Sequence, residues 1–299
     1  MKKVVVIGGS VIDLFLYPHQ KMKLHDSNPG YMKRAFGGVG RNIAENLVRL
    51  SVDTTLITAL GKDLWGQEIY ENARDLGMCI NYIEVSETPL YISVISEKGE
   101  DLVSVALMDE IEKMDKETLA SRDVFISPAD IIVIDTNVSE ETLSYILHTA
   151  KVPVYVDTIS SQKAIRIKKN LSYVHLLKMN LMEAEELSGL KVDEKIFVED
   201  LGDYFINQGV KEVIITLGSE GAYYQSKDIK EFKKPFDTHI KNTTGAGDAF
   251  FAGVIYAKMH GLEPLKTGLA AAAINVQSED AVSKDMNKLN LLKIMEDHL

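Results

Sequence analysis

The sequence predicts an α/β fold: a doubly wound, mainly parallel sheet with helices on both faces and a small β-sheet lid. Three observations carry that expectation. Short β-branched runs recur along the 299 residues, and stretches with apolar residues at helical spacing lie between them. Continuous apolar strands suit a parallel sheet covered on both faces, and strand alternating with helix argues for a doubly wound arrangement. Two segments break the alternation and read as antiparallel excursions.

Taken in order, Lys3 to Ile7 (KVVVI) is the first run. Its lysine-then-apolar start has the look of a signal peptide, but Gly8, Gly9 and Ser10 interrupt it, Asp13 charges it, and no A-x-A site follows. It reads as a first buried strand. The segment from about 13 to 36 is too long for a βα turn and contains the turn-rich HDSNPG, His25 to Gly30. After GGVGRN, residues Ile43, Ala44, Leu47, Val48 and Leu50 make one helix face. Thr54 to Ala59 is the next strand. Between 88 and 108, LYISVIS and DLVSVAL are joined by EKGE, a hairpin signal. Further strands follow at Ile131 to Ile134, Val154 to Val156 and Glu212 to Leu217. Helical faces lie at Leu143, Ile146 and Leu147 and at Leu201 to Phe205. The expectation is one domain over 1–299, whose two excursions build a lid over the sheet's carboxyl edge and shut water out of a site there.

Bulk properties exclude several classes. Hydrophobic residues at 45% and charged residues at 26% are ordinary for a globular chain. A net charge of −11 provides no global basic field to gather nucleic acid, although a small anionic ligand needs only a local positive site. The single cysteine, Cys79, permits no disulfide within the chain, and the seven histidines show no HExxH spacing. A reducing cytoplasm fits that usage. No apolar run approaches the ~20 residues of a membrane span.

The stretch NTTGAGDAFFAG, Asn242 to Gly253, is the most informative. Gly245 and Gly247 stand at the start of an apolar helix, where the first N–H groups lack internal partners and the macrodipole is positive. Glycines leave room for an anion to reach those groups. Asp248 beside them suits phosphoryl transfer, in which amides hold developing charge and a carboxylate takes the proton of the attacking hydroxyl. The plainer alternative is a glycine turn with an acid favouring the helix dipole.

Context decides between them. FGGVGRNIAENLVRL (Phe36 to Leu50) and NTTGAGDAFFAG together resemble the two signatures of the ribokinase-like (PfkB) family of carbohydrate and nucleoside kinases. The likeness runs through the chain in order: GGSVID, the glycine pair with Asn42, KMNLMEAE, ITLGSEGAY and the GAGD helix. It implies that Asp248 is the base, that Gly245, Ala246 and Gly247 supply the anion hole, and that Asp13 grips sugar hydroxyls. A carboxylate can accept both hydroxyls of a ribose diol. It further implies that Gly37 and Gly38 admit the sugar and that Asn42 bonds a hydroxyl. Glu183, in the N-x-x-E motif begun by Asn180, would position Mg2+ near the ATP phosphates. A capping box is the alternative reading of that pair. Lys178 reads as a solvated charge. Thr216, Gly218 and Gly221 would line the nucleotide pocket, and Asn275 matches a position near adenine. ATP binding here does not rest on a P-loop, since G-x-x-x-x-G-K-[ST] is absent.

The family's usual wording is D-T-T-G-A-G-D, whereas Asn242 replaces the leading acid. In relatives that acid helps hold an activating monovalent cation, so potassium activation is an open question here. HDSNPG with GGVGRN and DTISSQKAIRI resembles the branch acting on pseudouridine. This implies transfer to a ribosyl 5′-hydroxyl, with Ser27 and Asn28 reading the base, Lys163 donating to a carbonyl and Asn137 facing the substrate. Plain turn and surface readings exist for Ser27, Asn28 and Lys163. The alternatives are a kinase of the same family acting on ribose, a hexose or a purine nucleoside, a dinucleotide oxidoreductase, and a non-catalytic nucleotide sensor. GGSVID lacks the spaced G-x-G-x-x-G, and the intact GAGD argues against a sensor. The expected partner is a small sugar or nucleoside, with neither nucleic acid nor membrane, and the resemblance implies a homodimer through the lid.

Overall fold

The computed structural model describes residues 2–296. Strand β1 (Lys3–Ile7) sits inside a nine-stranded sheet. Val4 and Val6 enter the core beneath one helical layer, Val5 and Ile7 the core beneath the other, and all four are fully buried. A strand buried on both faces has no polar side, which is why KVVVI shows no alternation.

The chain leaves β1 to form β2 (Val11–Pro18) and β3 (Gly30–Gly37), then returns through the helix Val39–Arg49 to β4 (Asp53–Gly61), parallel to β1. The helix Leu64–Asp75 leads to β5 (Cys79–Val85) at one edge. A second excursion makes β6 (Leu90–Ile95) and β7 (Asp101–Leu107). Next, β8 (Ile131–Asp135) pairs with β1 on the side opposite β4. Strands β9 (Val154–Asp157), β10 (Leu176–Asn180) and β11 (Glu212–Thr216) follow outward, all parallel. Antiparallel β12 (Ala222–Ser226) and β13 (Lys230–Lys233) finish the sheet, whose order is β13-β12-β11-β10-β9-β8-β1-β4-β5. The direction of growth reverses between β1 and β8, and ligands of open α/β sheets bind outside the strand carboxyl ends at such a switch point.

The two excursions form a separate four-stranded sheet in the order β3-β2-β6-β7. Ile12 and Leu14 of β2 pack with Leu60 and Ile69, and Phe36 and Trp65 close around them, which anchors this sheet's root to the Leu64–Asp75 helix. The expected strand at Thr54 to Ala59 extends to Asp53–Gly61, and the expected hairpin is β6–β7. Strands β5, β12 and β13 gave no such signal in the sequence. β5, at the edge, mixes buried and exposed positions, so its apolar content is diluted. No helix among the described residues is long and apolar enough to cross a membrane.

Candidate active site

Two adjacent strands, β8 and β9, end in aspartates, and the next, β10, carries a lysine two residues before its end. Register sets Asp135 beside Asp157 and Asp157 beside Lys178, a row across the carboxyl edge of β8, β9 and β10. Asp135 is fully buried and accepts N–H groups from Gly9 at 2.8 Å, Gly40 at 2.9 Å and Asn137 at 2.9 Å. It thereby ties the end of β1 to the start of the Val39–Arg49 helix. Lys178 Nζ donates to Asp157 Oδ2 at 2.8 Å, with both groups buried. Burial works against the lysine's charge, but Asp157, Asp248 and Glu183 outweigh it and hold its pKa above the usual value. Lys178 is therefore no solvated charge: its ammonium is buried against the carboxylate of the neighbouring strand.

The Ala246–His260 helix begins at Gly245, whose φ of 73° is left-handed. A Cβ there would stand 1.9 Å from the Ala281 carbonyl oxygen, so only glycine fits. The N–H groups of Gly245, Gly247 and Asp248 donate to no described residue. Ala246 differs: its N–H donates to Thr243 O at 3.2 Å, which closes the turn. The expected cradle of Gly245, Ala246 and Gly247 thus becomes Gly245, Gly247 and Asp248. Lys178 Nζ borders it, 3.1 Å from where a Gly247 Cβ would lie.

Asn42 Nδ2 donates to Asp248 Oδ2 at 2.8 Å, across 206 residues of sequence. Asn42, expected on a substrate hydroxyl, thus also holds the expected base. The other Asp248 oxygen accepts no hydrogen bond from any described residue. Burial, then the charge of Asp157, raises the Asp248 pKa from 3.8 to about 7, while Lys178 and Asn42 pull it down and Asp135 adds to the rise.

On the acceptor side, Asp13 lies in β2 with its carboxylate over Gly37, where a Cβ would come within 2.2 Å of Oδ2. Burial raises its pKa to about 6 and the Arg41 charge opposes that rise. No described residue donates a hydrogen bond to it. This half-buried carboxylate is therefore free to accept a ligand's hydroxyl. Gly38 packs its backbone on Gly9 and Ser10. Asn137 and Lys163 do meet, and Lys163 Nζ donates to Asn137 Oδ1. Ser27 and Asn28 do not join them. They follow the far end of the β2–β3 ladder, beyond the Pro18–Gly30 pair, and are exposed. The Asn28 amide is consumed locally by Lys23 N at 2.8 Å, Lys23 O at 2.9 Å and Asp26 O at 2.9 Å. Both stand in an exposed turn in this structure.

On the other side of the row, Asn180 caps the Leu181–Ser188 helix and forms a full capping box with Glu183. Glu183 accepts from Asn180 N at 2.9 Å, Asn180 Nδ2 at 2.6 Å and Thr158 Oγ1 at 2.7 Å. Burial and the Asp157 charge raise its pKa. Thr216 pairs with Asn180 in register, and Gly218 and Gly221, both at positive φ, make the turn that follows. Asn275, expected near adenine, sits behind the GAGD turn. It is fully buried, donating to Thr244 O at 3.0 Å and accepting from Ser283 N at 3.0 Å. Its work is to hold the GAGD turn from behind. Asn242 clips the same turn, with Nδ2 on Glu279 O at 2.9 Å and Oδ1 accepting from Thr244 N at 3.0 Å.

Asp135 and Asp157 were missed in the sequence, and Lys178 was read as solvated. A signal for the two acids was present: IIVID and VYVD each end an apolar run on an aspartate, the position a doubly wound sheet turns toward its crevice.

A family model described as pfkB family carbohydrate kinase matches residues 1–288. A pseudouridine kinase from Escherichia coli (strain K12) is 33% identical over 301 residues, spanning 98% of this chain and 96% of its own. Among solved structures, a carbohydrate kinase from Agrobacterium tumefaciens has a TM-score of 0.87 at 29% identity, covering 99% of this chain and 97% of its own. A ribokinase from Arabidopsis thaliana, complexed with ribose and ATP, has a TM-score of 0.82 at 20% identity over 99% of this chain and 98% of its own, which speaks to fold alone.

Proposed function

Because the chain belongs to the pfkB family of carbohydrate kinases, and is thus an ATP-dependent phosphotransferase for a sugar or nucleoside, we propose that it phosphorylates the 5′-hydroxyl of pseudouridine. The chemistry rests on one observation: the open oxygen of Asp248 lies in the first turn whose N–H groups are unpaired. The choice of substrate rests on the 33% identical pseudouridine kinase.

In this reading Asp13 accepts hydrogen bonds from the ribosyl diol and fixes the sugar below the second sheet, which acts as the lid. Lys163, already directed by Asn137 and with its pKa lowered by burial, faces the acceptor. Asp248 takes the proton of the 5′-hydroxyl while that oxygen bonds to the γ-phosphorus and the bond to the β-phosphate oxygen breaks, releasing ADP. The N–H groups of Gly245, Gly247 and Asp248, together with the Lys178 ammonium, hold the charge on the moving group. Thr216, Gly218 and Gly221 border the nucleotide.

Among the described residues no cluster of three acidic or histidine ligands forms a cage for a metal. Buried Glu183, Asp157 and Asp248 around a single lysine nevertheless leave the region negative, which fits a hydrated cation beside phosphates. Magnesium held through water at Glu183 would neutralise phosphate charge.

The test is ADP release from ATP and magnesium with pseudouridine, uridine, ribose, fructose and inosine. A kcat/KM for pseudouridine roughly 10² above uridine is expected if polar groups on the protein read the base. Equal values for the two would overturn the substrate, and turnover of ribose alone would assign the chain to a sugar.

A further inference from the structure

The helix Val39–Arg49 holds an arginine that the phosphoryl-transfer scheme does not use. Arg41 is almost wholly buried, and its guanidinium is anchored on several sides. Nη2 donates to Glu45 Oε2 at 2.6 Å and to Asn72 Oδ1 at 2.7 Å, from two different helices. Its Cζ lies over the ring of Phe36, in β3 of the second sheet, 5.0 Å from the centroid. Nη1 faces Asn42 Oδ1 at 3.4 Å, and Nε is buried without a partner. Burying a guanidinium with an unsatisfied N–H is costly, so a reason for its retention is worth seeking.

That reason lies in the asymmetry of the neighbouring carboxamide. Asn42 offers Nδ2 to Asp248 Oδ2 at 2.8 Å. Turned over, it would set its own oxygen against the carboxylate, acceptor against acceptor. A guanidinium only donates, so Arg41 beside Oδ1 favours the orientation that sends Nδ2 to the base. We propose that Arg41 is a positioning residue that locks the Asn42 carboxamide, and through it Asp248, while its cation–π contact with Phe36 links that lock to the root of the second sheet. The inference rests on Asp248 being the base. The groups facing Asp248 are Asp135 of β8, Asp157 of β9, Lys178 of β10 and Asn42 of the Val39–Arg49 helix. Those facing Arg41 are Glu45, Arg49 and Asp13. The Asn42 hydrogen bond favours the ionised base, so loosening it raises the Asp248 pKa and moves the acid limb of kcat to higher pH.

The experiment is a double-mutant cycle in the full chain with Arg41→Gln, Asn42→Ala and both together, read as kcat, KM for each substrate, the pH profile of kcat and melting temperature. Arg41→Gln should lower kcat about 10-fold or more, the size expected when a base is misaligned, with ATP KM within about twofold and the acid limb shifted upward. In the Asn42→Ala background the same change should have no further effect on kcat, because the two act as one unit. Arg41→Lys, which keeps the charge but cannot make the fork and the cation–π contact together, serves if Arg41→Gln is not folded, and should show the same non-additivity. Additive losses, or a lowered melting temperature with kcat and its acid limb unchanged, would overturn the proposal. Asp248→Asn run alongside separates the two failures: an inactive Asp248→Asn with additive Arg41 effects sinks only the arginine's role, and an active one sinks the base itself.

Discussion

Asp248 has conflicting demands placed on it, and they can be measured. Its carboxyl, raised from 3.8 to about 7 by burial first and Asp157 second, holds a proton in the folded chain that the unfolded chain has released over that interval. Stability therefore falls as pH rises from about 4 to about 7 and stays reduced above, by roughly 1.4 kcal/mol for each pH unit crossed between those limits. Asp248→Asn removes that penalty. Its melting temperature at pH 8 should exceed that of the unaltered chain, with the gap closing toward pH 5. Its kcat should drop roughly 10²–10⁴-fold with ATP affinity nearly intact, the usual contribution of a general base. Calorimetry at the two pH values reads the first effect and steady-state kinetics the second; a lower melting temperature at pH 8 would show that burial is not what raises this group. Asp248 was legible in the sequence because its role depends on neighbours one to three positions away. Lys178 was not, because its burial depends on Asp157 from another strand, and the buried bonds of Asn275 were not, because its partners, Thr244 and Ser283, lie in two other segments.

At the scale of elements, the site is made of element ends. The GAGD turn works only if Gly245 takes φ 73° with its Cα against Ala281 O. Gly261 ends the same helix at φ 69°, and a methyl group added there would meet nothing within 4 Å. The two glycines therefore make a matched comparison. Gly261→Ala should cost stability only, about 1 kcal/mol for the left-handed backbone, with kcat unchanged. Gly245→Ala adds the clash, should destabilise by about 1–3 kcal/mol, and should lower kcat because the cradle N–H groups shift with the turn. Equal kcat in both variants would separate the turn from catalysis. The helix starts at GGVGRN, Asn180 and GAGD were readable because caps and glycines are local signals. The row Asp135–Asp157–Lys178 was not, since register between strands lies outside any one segment.

Across the whole molecule, the second sheet leaves an unusual surface. Every residue of β7 is exposed, and Leu102, Val103, Val105 and Leu107 each keep half or more of their area in water. An exposed apolar edge strand invites pairing with another chain. A second copy covering it through the same sheet accords with the homodimer expected from the family resemblance. Sedimentation should find a dimer whose mass halves on Val105→Lys, and a monomeric unaltered chain would refute the pairing. By itself, the sequence determined the alternation of strand and helix, the two excursions, and the glycine-and-acid helix start, because each is written in residues within a few positions of one another. Only the tertiary structure decided which acid accepts from Asn42, that Lys178 borders the cradle, and that Ser27 and Asn28 stand apart from it. Those outcomes depend on strand order, register and the length of the β2–β3 ladder, through which residues hundreds of positions apart come to share one crevice while near neighbours in sequence are held away from it.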